Sequence, residues 1–241
     1  MMSDTFTEAI TRTDGLSFFD IRGDGFDTML FVNGQPIGMN WYDCGGSIAQ
    51  YLVRAGVANR NAKLAHLRYL VAGNLLVNQP LSTQLWDLLE LFAPGDYSLT
   101  FIPCCPDSAH HDFSKAQEFS QHYDWFYPFG RDFVFTRPSE SLSEDQIAFH
   151  AQQIANGLRP IAITANVADG QCDYVIDGHH KLVAYRRANV DPAIINICRY
   201  GRPPLPPNTV RELFARRDDL ASHYEKHKGK TFQSHVIVMT Q

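Results

Sequence analysis

The sequence predicts an α+β fold, and three observations carry that prediction. Strand-like texture begins at Leu16 and contains an Asn33-Gly34 turn between two apolar runs. Helical spacing takes over after Gly45-Gly46 and again around Leu85. From Arg131 the order reads strand, helix, strand, strand, helix, strand, with apolar periods that switch between two and 3.6 residues.

Taken in order, the first fifteen or so residues are polar and read as a loosely held lead-in. F-F-D-I at 18–21 and T-M-L-F-V at 28–32 are strands, and P-I-G-M-N-W at 36–41 follows across a hairpin. Asn33 and Gly34 both tolerate the positive φ that a tight hairpin turn needs. Ile48, Leu52, Val53 and Val57 recur at helical spacing, as do Leu64, Leu67, Leu70 and Val71, with Asn59-Arg60-Asn61 as the turn between them. Ser82-Thr83 precede Q-L-W-D-L-L-E-L-F, whose apolar residues suit a buried helix face. Pro94-Gly95-Asp96 is a turn, and Y-S-L-T-F-I at 97–102 is a strand. From Cys104 to Gly130 aromatics and histidines are dense but lack a period, and no element is assigned.

D-F-V-F-T-R-P at 132–138 is a short strand, and serines at 141 and 143 open a helix over 144–156. Gly157 ends that helix as a left-handed cap. I-A-I-T-A at 161–165 and D-Y-V-I at 173–176 are strands joined by the A-D-G-Q turn. After Gly178 comes a helix, H-K-L-V-A-Y-R-R-A, and then a closing strand, A-I-I-N-I at 193–197. A proline-rich link, a charged helix around 209–226 and an apolar strand at 235–239 form the tail. The expected division is an N-terminal α+β portion at 1–130, a domain at 131–200 and an extension at 201–241.

Composition bounds the function. The chain has 241 residues, 44% of them hydrophobic and 20% charged, so it can bury a core without metal or disulfide staples. A net charge of −5 argues against a protein that tracks nucleic acid, which would carry a basic surface. The five cysteines, Cys44, Cys104, Cys105, Cys172 and Cys198, have no framework spacing. That fits a reducing compartment. With no apolar run near the ~20 residues of a membrane span, the expectation is a soluble, cytoplasmic protein.

The chemistry concentrates at Y-V-I-D-G-H-H-K-L-V-A-Y, residues 174–185. A glycine between a strand and a helix lets the backbone turn sharply, so the first amides of the helix point at one spot. The macrodipole adds partial positive charge there, which suits an anion. His179, His180 and Lys181 supply three further candidate donors to phosphate. Asp177 is placed to cap the helix, to hold one histidine in a chosen tautomer, or to orient a magnesium-bound phosphate.

Asp177-Gly178-His179-His180-Lys181 with Ala184-Tyr185 resembles the signature turn of the ParB/sulfiredoxin superfamily. The flanks Gly157–Ile163, Pro192–Ile197 and Thr136–Leu142 resemble that family's lead-in, closing strand and opening stretch. The likeness covers about 132–200, less than a third of the chain. It implies a ParB/sulfiredoxin-like mixed sheet with flanking helices. Sulfiredoxins carry a cysteine where this chain has His179, so sulfinic-acid reduction is not implied. ParB proteins add a helix-turn-helix, for which this chain shows no counterpart. The free-serine-kinase branch is nearest in motif, with Lys181 in place of its usual arginine, which keeps the charge and loses the fork.

The resemblance therefore implies an adenine-nucleotide-binding protein, using ATP or ADP and Mg2+, that acts as a kinase or nucleotide hydrolase on a small molecule. Gly178, His179, His180, Lys181 and Arg137 would bind the nucleotide. Glu140, Asp177 and His180 would be the catalytic groups, with Glu140 accepting the substrate hydroxyl proton. The alternative is a non-catalytic binding module, an immunity or regulatory protein that docks a protein partner through its N-terminal portion. DNA binding or cleavage ranks below both. His110-His111-Asp112 with His122 and Asp124 offers ligand types but no compact zinc spacing, and His223/His227 lacks an adjacent glutamate, so no metal site is expected.

Overall fold

The computed structural model describes residues 4–23, 27–43, 48–53, 79–105, 107–110, 121–126, 131–136, 142–170, 172–206 and 208–209. Among these the chain forms strands β1 (Phe6–Arg12), β2 (Phe19–Gly23), β3 (Thr28–Val32), β4 (Gln35–Asp43) and β5 (Ile48–Val53). Two single-turn helices follow, α1 (Leu81–Gln84) and α2 (Trp86–Leu89). Then come β6 (Gly95–Ile102), β7 (Asp107–His110), β8 (Gln121–Phe126) and β9 (Arg131–Phe135). The last elements are α3 (Glu144–Ala155), β10 (Ala162–Val167), β11 (Cys172–Asp177), α4 (His179–Ala188) and β12 (Ile194–Arg199). The architecture is mixed α+β.

The strands make two sheets. One has seven strands in the order β1-β6-β12-β10-β11-β9-β7, with β10 parallel to β12 and β9 parallel to both β11 and β7. The other is a five-stranded antiparallel meander, β2-β3-β4-β5-β8, in which β8 joins from later in the chain. Alternation decides which side of the large sheet is interior. Tyr97, Leu99 and Phe101 pair with Arg199, Ile197 and Ile195, and Ile163 and Ala165 continue that face toward Tyr174. This face packs on Phe19, Ile21, Leu30 and Val32 of the small sheet and on Leu81, Leu85 and Leu88 of the short helices, forming one core.

Polar side chains stitch the two sheets together. The fully buried Tyr174 hydroxyl donates to Thr28 O at 2.9 Å and accepts from the Asn40 amide at 3.1 Å. Arg199 on β12 ion-pairs with Asp20 on β2 and also donates to Ile21 O at 3.0 Å and Pro94 O at 2.8 Å.

Several sequence expectations change here. The polar lead-in contains β1, whose seven residues pair with β6 and whose side chains alternate between half-buried and exposed. Ile48, Leu52 and Val53 lie in a strand instead of a helix, because I-A-Q-Y-L-V is bonded on both sides, to β4 and to β8. Pairing with two neighbours outweighs a spacing that both element types satisfy. Val57, the 64–71 run and the expected tail elements beyond 209 lie outside the described residues. The single helix expected near Leu85 is two short turns that meet at that residue. Strands from both sides of 130/131 share the seven-stranded sheet, with β6 pairing β12 from Ile102↔Ile194 to Tyr97↔Arg199.

Candidate functional site

β9 and β11 are parallel neighbours, with Phe135 opposite Val175, so both end at the same edge of the large sheet. A helix follows each strand: α3 after β9 and α4 after β11. The edge therefore collects two helix starts. In open α/β sheets, crevices outside the carboxyl ends of parallel strands are where ligands bind.

Gly178 makes the second start. It is the N-cap of α4, with φ 100° and ψ 19°, a left-handed conformation natural to glycine. Space requires glycine as well. A Cβ there would sit 2.7 Å from Ala162 Cβ and 2.8 Å from its Cα. The turn is thus pressed against the first residue of β10, and Gly178 O accepts the first helical bond from Leu182 N at 2.9 Å. Ser143 caps the other helix, its hydroxyl accepting from Gln146 N at 3.4 Å, with Glu144 and Asp145 in the first turn.

The two histidines join this turn to the β9–α3 connection. His179 is buried edge-on to Phe135, and its Nε2 accepts from Thr136 N at 3.3 Å. The Thr136 hydroxyl lies 3.1 Å from the same nitrogen and donates to Val175 O at 2.8 Å. His180 Nε2 accepts from Ser143 N at 3.1 Å. Each imidazole uses Nε2 as an acceptor, which requires that nitrogen to be unprotonated. The segment that carries Arg137 and Glu140 thus leaves from a residue bonded to His179 and arrives at a residue bonded to His180. Arg137 and Glu140 themselves lie outside the described residues.

Lys181 turns inward. Its ammonium donates to Ile161 O at 2.8 Å and to Asp177 Oδ2 at 2.9 Å, and the side chain is 8% exposed against 38% for Asp177. Of the expected phosphate donors, His179 and Lys181 are therefore engaged with Thr136, Ile161 and Asp177, while His180 holds the cap of the neighbouring helix. Asp177 pairs with Lys181 across one turn of α4.

Sequence reading passed over His150. It lies on α3, three residues after Ile147, on the face that packs against Ala184 and Tyr185 of α4. Its Nδ1 is 2.9 Å from Gln153 Oε1. Burial pushes its pKa down, the Gln153 bond opposes that, and the charges of Lys181 and Asp177 act on it in opposite directions. It is thus in electrostatic reach of the turn. The available signal was its place on the helix face that also carries Ile147 and Ile154.

Among the described residues no group of three or more histidine, cysteine, aspartate or glutamate side chains is arranged to hold a metal ion, and no helix is long and apolar enough to cross a membrane. Comparison of the chain with family models, with curated proteins and with solved structures gives no match.

Proposed function

We propose that this chain binds an adenine nucleotide, ATP or ADP with Mg2+, at the edge where β9 and β11 end, and acts there as a phosphotransferase or nucleotide hydrolase on a small molecule. One observation carries the reading: two helices begin side by side at the carboxyl ends of two adjacent parallel strands, with their caps joined by the 3.1 Å bond from Ser143 N to His180. The macrodipole of α4, whose first turn carries no acidic residue, then favours an anion at this edge. We read the run β9-α3-β10-β11-α4-β12 as the ParB/sulfiredoxin-like part of the chain.

In this reading the α4 start seats the phosphates, His180 aligns the two helix caps, and Asp177 is the carboxylate nearest the turn. Arg137 would add a cation and Glu140 the proton acceptor. A second reading, a non-catalytic module that docks a protein partner, is favoured by the engagement of His179 and Lys181 with groups inside the fold.

Melting curves with ATP, ADP, CTP and GTP, each with Mg2+, separate the two. A ligand at a hundred times its Kd stabilises by about 2.7 kcal/mol, which raises the Tm of a chain this size by about 5–10 °C. The expected result is such a rise with ATP or ADP, reduced to less than half in His180→Ala. No rise with any nucleotide would sink the nucleotide reading in favour of the docking module.

A further inference from the structure

We infer that Lys181 is a positioning residue, a tether that shapes the turn from inside, and not a group that touches the ligand. The inference deepens the nucleotide reading of the same site and rests on it for its binding readout.

The geometry is that of a brace. The ammonium joins the carbonyl of Ile161, the residue just before β10, to the carboxylate of Asp177, the last residue of β11. Ile161 is itself buried, and the β10–β12 ladder begins only at Ala162↔Ile194. The ammonium is therefore a hydrogen-bond donor for a buried carbonyl at the entrance to the strand. The aliphatic stem covers the glycine, since a Cβ on Gly178 would lie 3.4 Å from Lys181 Cδ. Gly178 is thus held between the Ala162 backbone and the lysine stem, in the one conformation that starts α4 after Asp177.

This arrangement selects lysine over arginine. A compact ammonium directs tetrahedral donors at a carbonyl on one side and a carboxylate on the other. A guanidinium is planar and longer, and the stem already fills the space against Gly178. At a ligand-facing position arginine would keep the charge that attracts phosphate; in this brace it would not restore the two hydrogen bonds. The turn also gains no net charge from the pair, because Lys181 and Asp177 offset each other. Anion attraction there falls to the α4 start, whose first turn carries no acidic residue.

Two readouts on Lys181→Met and Lys181→Arg test the tether. One is hydrogen exchange at the Leu182 amide, whose bond to Gly178 O closes the first turn of α4. The other is the ADP–Mg2+ affinity of each variant, measured at a temperature where it is folded. The expected result is Leu182 exchange at least tenfold faster and ADP binding about tenfold weaker in both variants, with no rescue by arginine. If Lys181→Arg binds ADP like the parent while Lys181→Met does not, the lysine touches phosphate and the tether is overturned. Faster exchange with unchanged affinity reduces the lysine to a structural part and also overturns it as a positioning residue. If the parent binds no nucleotide, the proposed function fails by itself, and the brace is then decided by exchange alone: unchanged Leu182 exchange in both variants refutes it.

Discussion

Tyr174 and Asp177 stand three residues apart on β11, and their polar atoms do different things. Tyr174 points into the seam between the two sheets, where its hydroxyl bonds Thr28 and Asn40 with no access to solvent. Arg199 and Asp20 lie in the same seam, each side chain 12% exposed. Asp177 is at the sheet edge and pairs with Lys181, but its side chain remains 38% exposed. Seam contacts join strands far apart in sequence and are closed to any ligand. Edge contacts join a strand end, a turn and two helix starts, and they border solvent. The place of a polar pair thus separates two jobs: between the sheets it aligns them, and at the edge, where Asp177 meets solvent, it shapes a surface.

The largest effect expected is at the seam. Arg199→Met leaves Asp20 with only its bond to Arg22, at 2.7 Å, and removes donors from Ile21 O and Pro94 O. Breaking one side of a buried pair costs about 3–5 kcal/mol. Urea unfolding should show that loss, while the rise in Tm produced by nucleotide stays the same size. A loss below about 1 kcal/mol would mean the seam pair behaves like a surface pair, and the contrast would fail.

Gly178→Ala comes next and probes the edge. A left-handed alanine costs about 1–2 kcal/mol, and the overlap with the Ala162 backbone adds about 1–3 kcal/mol. The variant should be destabilised by roughly 3 kcal/mol and should also lose its response to nucleotide. Here the two readouts move together, unlike at Arg199. If stability falls while the response survives, the anion is held somewhere other than this turn.

The two regions were also unequally legible in the sequence. The edge is local in the chain, so its backbone could be read: Gly178 makes the sharp turn expected between strand and helix, and Gly157 adopts its expected positive φ, as do Asn33 and Gly34 in the hairpin. What the edge side chains bond could not be read, because Ile161, Thr136 and Ser143 reach Lys181, His179 and His180 through pairings 20 to 43 residues distant. The histidines and lysine look like outward donors when the turn is read alone. The seam was hidden for a stronger reason: Thr28 and Tyr174 are 146 residues apart, and Asp20 and Arg199 are 179 apart. Nothing in a local pattern joins β6 to β12 either, so a boundary at 130/131 looked natural. β1 did carry an alternation, F-T-E-A-I-T-R, but its inward positions are only half-buried apart from Arg12, and so it read as polar.

The smallest effect concerns alkaline pH and again belongs to the seam. Tyr97 donates to Ala93 O at 2.6 Å, and burial pushes its pKa up to about 12, with the nearby Arg199 opposing the shift. The folded chain keeps this proton more tightly than the unfolded chain, where a tyrosine ionises near 10. Below pH 10 both states are protonated and the contribution is fully present. As pH rises from about 10 toward 12 the unfolded state releases the proton first, so stability falls. At pH 11 the loss from this one group should be roughly 1 kcal/mol. Tyr174, also held protonated by burial, adds to the same slope. Unfolding free energies measured between pH 9 and 11 should therefore decline in the parent and decline less steeply in Tyr97→Phe. Equal slopes would show that the Tyr97 hydroxyl is open to solvent, and the seam would lose the closed character that distinguishes it from the edge.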